Sequence, residues 1–229
     1  MGSDAQNTGL TYAVDLALCI DATGSMSPIL DLVKGNALRF HGDVMRAMWA
    51  KQKRIDRLRA RVIVFRDLFE DGEEALAASD FFALPQDQAA FAGFLGSIRA
   101  FGGGDEPESG LEALAVAMNS SWVRACDRRR HVMVIWTDAS AHRLEEAVGR
   151  RTRGYPGGLP RSFAELEVLW EGETMDQSGK RLLIYAPDVA PWTGMQDDWE
   201  SVVHVASRAG TGLGEHDYAD VLEVIANSV

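Results

Sequence analysis

Short apolar runs that alternate with helix-like stretches constrain this chain more than any other feature. Arg61–Arg66 (RVIVFR) holds four consecutive apolar residues, three of them β-branched, as a strand buried on both faces requires. Thr11–Ile20 (TYAVDLALCI), His131–Thr137 (HVMVIWT), Arg181–Ala186 (RLLIYA) and Val202–Ala206 (VVHVA) are similar runs. From Ser27 to about Lys51 the pattern changes. Leu30, Val33, Ala37, Phe40, Val44 and Met48 recur at steps of three or four, which predicts a helix with one apolar side. Further helices are expected over Gln86–Ile98, Glu108–Asn119, Ala141–Gly149, from a Ser162 cap to Trp170, and over Asp217–Ala226. Pro107 suits a first helical turn. Asp71-Gly72 is a turn signal expected to lead to a short edge strand near Phe81–Leu84. Alternation of this kind implies an α/β fold. The expected form is a doubly wound, mostly parallel six-stranded sheet of order 3-2-1-4-5-6, with one antiparallel edge strand and helices on both faces. Residues 1–9 are expected to be a flexible lead-in and 10–229 a single domain, a length that suits one large α/β unit.

The first strand runs into Asp21-Ala22-Thr23-Gly24-Ser25-Met26. A carboxylate and two hydroxyls at alternate positions offer hard oxygen donors, the set that magnesium or manganese prefers. Two other segments are able to complete such a site. Gly102-Gly103-Gly104-Asp105-Glu106-Pro107-Glu108 is a glycine loop carrying carboxylates, and the His131 strand ends in Asp138. Carboxylates from three distant segments repel one another unless a cation joins them. In the order given above, the strands ending at Asp21 and Asp138 are neighbours at the switch point, where open α/β sheets bind ligands.

These motifs resemble the von Willebrand factor A domain and its metal-ion-dependent adhesion site. That family carries Asp-x-Ser-x-Ser after the first strand, a Thr in a second loop and an Asp after the fourth strand. Asp21, Thr23 and Ser25 match the first element, with Thr in place of the first Ser, and Asp138 matches the third. The second element departs, because the glycine loop offers Asp105 rather than a Thr; Asp105 is alternatively a cap for the helix near Glu108. The Gly-Asp-x-Pro-Glu loop looks like the intracellular, bacterial branch. The resemblance covers roughly residues 10–229. It implies a Rossmann-like fold and a Mg²⁺ (or Mn²⁺) ion held by Asp21, Thr23, Ser25, Asp105 and Asp138. It implies an open coordination position that accepts a carboxylate or other oxygen from a partner protein. The chain would then be an adaptor in a multi-protein system, of the kind that works beside AAA+ ATPases, kinases or phosphatases.

A formal net charge of -11, from 34 acidic and 23 basic residues, opposes binding to nucleic acid or anionic membranes. No apolar run approaches the ~20 residues of a membrane span, and the N-terminus lacks the basic region of a signal peptide. A cytoplasmic location is expected. Of the two cysteines, Cys19 sits in an apolar strand and is expected to be a reduced core thiol; no zinc spacing is present. There is no Gly-x-Ser-x-Gly elbow and no Walker loop, so an enzyme is not expected. The alternatives are a hydrolase using the same ion, with His142 or Glu108 as base, and a scaffold whose metal is structural. Gly210–Gly214 is expected to be a plain connector and Arg128–Arg130 a solvated entry loop. Asp67 either orders the first loop or pairs with Arg66 or solvent. His142, four residues past Asp138, fits a loop-ordering hydrogen bond or a partner contact. Arg153, beside the GYPGGLP loop, and Trp192 and Trp199, on the long connection after the fifth strand, are expected to form a partner platform with it. The tryptophans equally fit a buried cover over the sheet edge.

Overall fold

All ten residues of β1 (Tyr12–Asp21) are buried, because this strand lies at the centre of a sheet covered on both faces. The computed structural model describes residues 11–52, 54–104, 106–149, 155–206 and 223. β1 pairs in parallel with β2 (Arg57–Phe65) on one side and β5 (Arg128–Trp136) on the other. β6 (Lys180–Ala186) and β7 (Val202–Ala206) continue in parallel beyond β5. Two three-residue strands, β3 (Leu76–Ala78) and β4 (Phe82–Leu84), run antiparallel along the outer edge of β2. The order β3-β2-β1-β5-β6-β7, with β4 also on β2, gives seven strands. The expected doubly wound order is present, with the antiparallel edge split in two. Asp71-Gly72 opens a 3-10 turn over Gly72–Glu74 instead of a tight hairpin. The Asp71 side chain is engaged elsewhere, accepting the Gly103 amide at 2.8 Å.

Successive residues of β1 point to opposite faces. Tyr12, Val14, Leu16, Leu18 and Ile20 meet α1 (Ser27–Ala50), through Leu30, Val33, Val44 and Met48, and α2 (Gln88–Ser97), through Phe91 and Leu95. On the other face β1 presents the smaller Ala17 and Cys19. There α3 (Gly110–Met118) comes close enough for the Cys19 thiol to lie 3.8 Å from the Ala113 carbonyl. α4 (Leu144–Gly149), α5 (Phe163–Glu171) and α6 (Trp192–Asp198) complete this layer.

Cys19 is free and buried, and burial pushes its thiol up to about 12. Only the thiolate alkylates readily. Iodoacetamide added to the folded protein is therefore expected to label the half-buried Cys126 and to spare Cys19 until denaturant is present. Equal labelling of the two by mass spectrometry would contradict this core.

Ser162 caps α5 as its sequence position suggests. Its Oγ accepts the Glu165 amide at 3.1 Å, while Glu165 reaches back to the Arg161 amide at 2.7 Å. Ser162→Ala is expected to cost about 1 kcal/mol, read as a lower urea midpoint with an unchanged slope.

One expectation is corrected. Arg128–Arg130 is the start of β5, paired with Tyr12–Val14 at the end of the sheet away from Asp21. The backbone joins the ladder while the guanidinium of Arg129 turns outward to Asp176, 2.7 Å away. The long connection after β6 contains a short helix, α6, entered at Pro191. The Gly210–Gly214 run and most of Asp217–Ala226 lie outside the described residues. No helix among the described residues is long and apolar enough to cross a membrane.

Candidate metal centre

Ile20 of β1 is in register with Trp136 of β5, so Asp21 and Thr137 leave the sheet side by side. The sheet order reverses direction at this pair of strands, and the crevice beyond their carboxyl ends is where such sheets place ligands. The Asp21 carboxylate folds the loop that follows it. Its Oδ1 accepts both the Thr23 amide, at 2.9 Å, and the Thr23 hydroxyl, at 2.7 Å. Its Oδ2 accepts the Thr137 hydroxyl at 2.6 Å. The chain then makes a 3-10 turn over Gly24–Met26, buries Met26 and enters α1 with a proline in its first turn.

Thr23 Oγ1 lies 3.0 Å from Ser25 Oγ, which lies 3.0 Å from Asp138 Oδ1. Asp21, Thr23, Ser25 and Asp138 thus form one continuous line of oxygens. A hydroxyl carries a single proton. With both carboxylates ionised, two hydroxyl protons serve the three contacts of this line, so one contact has no hydrogen between its oxygens. Asp21 and Thr23 are buried, Asp138 is half-buried and Ser25 is exposed, which leaves the line open to solvent at one end.

The glycine loop presses against this line. Gly103 has φ +71°, and a Cβ there would come within 2.8 Å of Glu108 Oε1 and 2.9 Å of Thr23 Cγ2. Only glycine fits that position. Gly24 donates to the Gly102 carbonyl at 3.1 Å. Arg66, at the end of β2, ties the surrounding segments together. Its guanidinium donates to the carbonyls of Ala22 (3.0 Å), Glu74 (2.8 Å) and Arg99 (2.8 Å) and stacks over the Phe101 ring.

The structure places Glu108, named in the sequence as a carboxylate of the glycine loop and a candidate base, beside this line. Its backbone bridges the loop after β5, donating to the Ser140 carbonyl at 3.0 Å and accepting the His142 amide at 2.9 Å. Its side chain is buried, and Oε2 has no hydrogen-bond partner. Burial first, and then the carboxylates of Asp21, Asp67, Asp71 and Asp138, push its carboxyl up to about 9. Burial also raises Asp21 to about 6, against the hydrogen bonds from Thr137 and Thr23 and with a further rise from Asp138. Both acids sit where negative charge is costly and nearby positive charge would be welcome. Asp105, the residue expected from this loop, lies outside the described residues. Glu108 stands in the same glycine loop, and its signal in the sequence was its place among that loop's carboxylates. Thr137, which orients Asp21, directly precedes Asp138 in the chain.

The donor set fits a small hard dication. It combines carboxylates from Asp21 and Asp138 with the hydroxyls of Thr23 and Ser25. Among the described residues, no group of three Asp, Glu, His or Cys side chains is gathered tightly enough to hold a metal by itself.

The residues expected at a partner platform are placed differently. His142 is buried, its ring edge against Phe69, with Nε2 at 3.2 Å from Asp67 Oδ1 but not aligned for a hydrogen bond. Asp67 accepts the Phe69 amide at 2.8 Å, so the pair orders the loop. Trp192 is 0% exposed and donates from Nε1 to the Ala139 carbonyl at 2.9 Å. Trp199 is 4% exposed and stacks against Trp170. Neither tryptophan presents a contact surface. Trp192 packs on Gly110 at the start of α3, and Trp199 packs between the rings of Trp170 and Phe163. Arg153 lies outside the described residues.

This topology is that of a von Willebrand factor A-like domain with a Rossmann-like sheet. Solved structures of similar fold include the pilus adhesin SpaC from Lactobacillus rhamnosus GG, with a TM-score of 0.60 and 12% identity over 94% of this chain and 31% of that one. The vWF domain of the type V pili tip protein Mfa5 from Porphyromonas gingivalis matches 96% of this chain and 97% of its own, with a TM-score of 0.57 and 10% identity. Proximal thread matrix protein 1 from the mussel byssus, with a zinc-occupied MIDAS motif, matches 95% of this chain and 45% of its own, with a TM-score of 0.51 and 13% identity. At these identities the likeness is one of fold. The chain spans about a third of the pilus adhesin and less than half of the byssus protein. No protein-family profile matches the chain, and no curated protein sequence matches it.

Proposed function

We propose that this chain is a protein-interaction module whose binding depends on a divalent cation, Mg²⁺ or Mn²⁺, held at the carboxyl ends of β1 and β5. The observation that carries this reading is the line of oxygens from Asp21 to Asp138, short of hydrogens while its carboxylates are ionised, with the buried Glu108 carboxyl, whose Oε2 has no hydrogen-bond partner, in the adjoining glycine loop. Asp21, Thr23, Ser25, Asp138 and Glu108 would hold the ion, with Asp105 in the same loop. The bound ion would supply an electrophilic position for an oxygen of the partner. Around a dication, the ionised carboxylates of Asp21, Asp138 and Glu108 leave the cluster formally at -1, so recognition also has to draw on contacts beyond the ion. The fold likeness to adhesin and matrix proteins supports an interaction role. Binding rather than turnover is favoured because His142, the base closest to the rim in sequence, is buried against Phe69 and Asp67. A cytoplasmic adaptor beside an ATPase, kinase or phosphatase remains part of the proposal on the resemblance of the glycine loop.

The test is calorimetric titration of EDTA-stripped protein with Mg²⁺ and Mn²⁺, paired with circular dichroism. One-site binding to a protein that stays folded without metal is the expected result. Heat of binding no larger than the buffer blank would reject the site. Loss of the fold on stripping would mean that the ion is structural.

A further inference from the structure

We propose that the outward face of α1 pairs with the same face of a second copy of this chain, the two helices running antiparallel about a two-fold axis between Leu38 and Arg39. This pairing does not depend on the ion. On its inner side α1 meets the sheet through Leu30, Val33, Val44 and Met48. Opposite that line, Asp31, Gly35, Leu38, Gly42, Met45 and Trp49 follow one another at steps of three or four, so they share one face. Four of the eight large apolar side chains exposed among the described residues belong to α1: Leu32, Leu38, Met45 and Trp49. Trp49 is 79% exposed. Clustered apolar groups on a surface mark an interaction site.

The charges on this face select a second copy as its occupant. The Asp31 side chain is 97% exposed and that of Arg46 is 79% exposed. Each has an intrahelical partner three residues away, Lys34 and Asp43, and those partners are the largely buried members of the two pairs. The Lys34 ammonium also donates to the Ile98 carbonyl at 2.7 Å, and the five donors of a guanidinium let Arg46 take a second carboxylate. Asp31 stands as far before the midpoint of Leu38 and Arg39 as Arg46 stands after it, and the same holds for Gly35 with Gly42 and for Pro28 with Trp49. Two antiparallel copies centred there set each Asp31 against Arg46 of the other copy, twice over, as a two-fold interface requires. Leu38 meets its own counterpart at the axis, and Trp49 lies over the exposed Pro28 of the other copy. Gly35 faces Gly42 of the other copy. A Cβ at Gly35 would meet nothing within 4 Å, and one at Gly42 only the tip of Arg46 at 4.0 Å. Both backbones are therefore open to a helix packed at the usual axial distance of about 8–10 Å. Arg39, beside the axis, stands one turn before Asp43, which offsets its charge within each copy. A parallel pair would set Asp31 on Asp31 and Arg46 on Arg46, which like charges oppose. Because α1 starts directly after the Thr23–Met26 turn, the antiparallel pair carries one candidate metal centre towards each end.

The experiment is sedimentation equilibrium of the full chain over a range of concentrations, with Asp31→Arg, Arg46→Asp and Trp49→Ala alongside. All three positions are exposed, and circular dichroism checks that each variant keeps the fold. The wild type is expected to approach twice the 25.0 kDa of one chain as concentration rises, and to dissociate more readily as salt is added. Either charge reversal alone sets like charges against each other at both ends of the antiparallel pair and is expected to weaken association by at least about tenfold. In a parallel pair neither reversal would change the sign of any contact. Mixing the two reversed chains restores opposite charges at both ends, and the mixture is expected to associate within about threefold of the wild type. Trp49→Ala is expected to weaken association by about tenfold with an unchanged circular dichroism spectrum. A wild-type chain that stays at 25.0 kDa up to its solubility limit overturns the proposal. So does a dimer indifferent to either reversal or to Trp49→Ala, and so do reversed chains that fail to recover on mixing.

Discussion

On the ion-dependent reading proposed above, Mg²⁺ is expected to raise the melting temperature of the wild-type chain and Asp21→Ala to abolish that rise. A ligand at 100 times its Kd stabilises a folded protein by about 2.7 kcal/mol. For a domain of this size that corresponds to roughly 5–10 °C. The variant should shift by less than about 1 °C under the same conditions. Asp21 has this weight because its carboxylate does two things: it is a donor in the oxygen line, and it holds the Thr23 amide and hydroxyl and the Thr137 hydroxyl in place. Its removal takes away one proposed ligand and the hydrogen bonds that hold Thr23 in place. Differential scanning fluorimetry of both proteins across a Mg²⁺ titration decides the matter. A variant that shifts like the wild type would place the ion elsewhere.

Trp192→Ala is expected to be the most destabilising single change in the layer that carries α6. Truncating a buried Trp costs about 3–5 kcal/mol through lost burial and the cavity left behind. Here the Ala139 carbonyl also loses its donor, one residue from Asp138. Gly110 packs so closely on the ring that even a Cβ there would come within 2.8 Å of Cη2, so the first turn of α3 loses its support as well. A fall in melting temperature of roughly 10 °C or more is expected, with weaker Mg²⁺ binding in whatever fraction remains folded. An unchanged melt would show that the ring is not packed as described.

The sheet order was legible because its strands are long apolar runs and parallel crossovers allow few topologies. β3 and β4 were not distinguishable as two elements. Three residues show no periodicity, and Leu76–Ala78 becomes a strand only because the edge of β2 offers it unpaired amides and carbonyls. α6 escaped notice for a related reason: seven residues with Pro191 at the entry and Gly194 inside lack helical propensity of their own. In the site, Asp21, Thr23, Ser25 and Asp138 were readable from spacing. Glu108 was visible as a member of the glycine loop, but its claim depends on burial and on an oxygen without a partner, which only the fold decides. Trp192 and Trp199 illustrate the converse limit. A sequence names the residues of a connection without saying which way each side chain faces.

Arg66 has a kinetic consequence. Its three hydrogen bonds join the segment after β1, the 3-10 turn after β2 and the stretch after α2 through one side chain. Segments pinned at a common point open in concert, so amide exchange near Ala22, Glu74 and Gly102 should follow a single opening free energy instead of three loop-specific ones. The rim of the sheet would then present its ligands as a block, assembled before any ion or partner arrives.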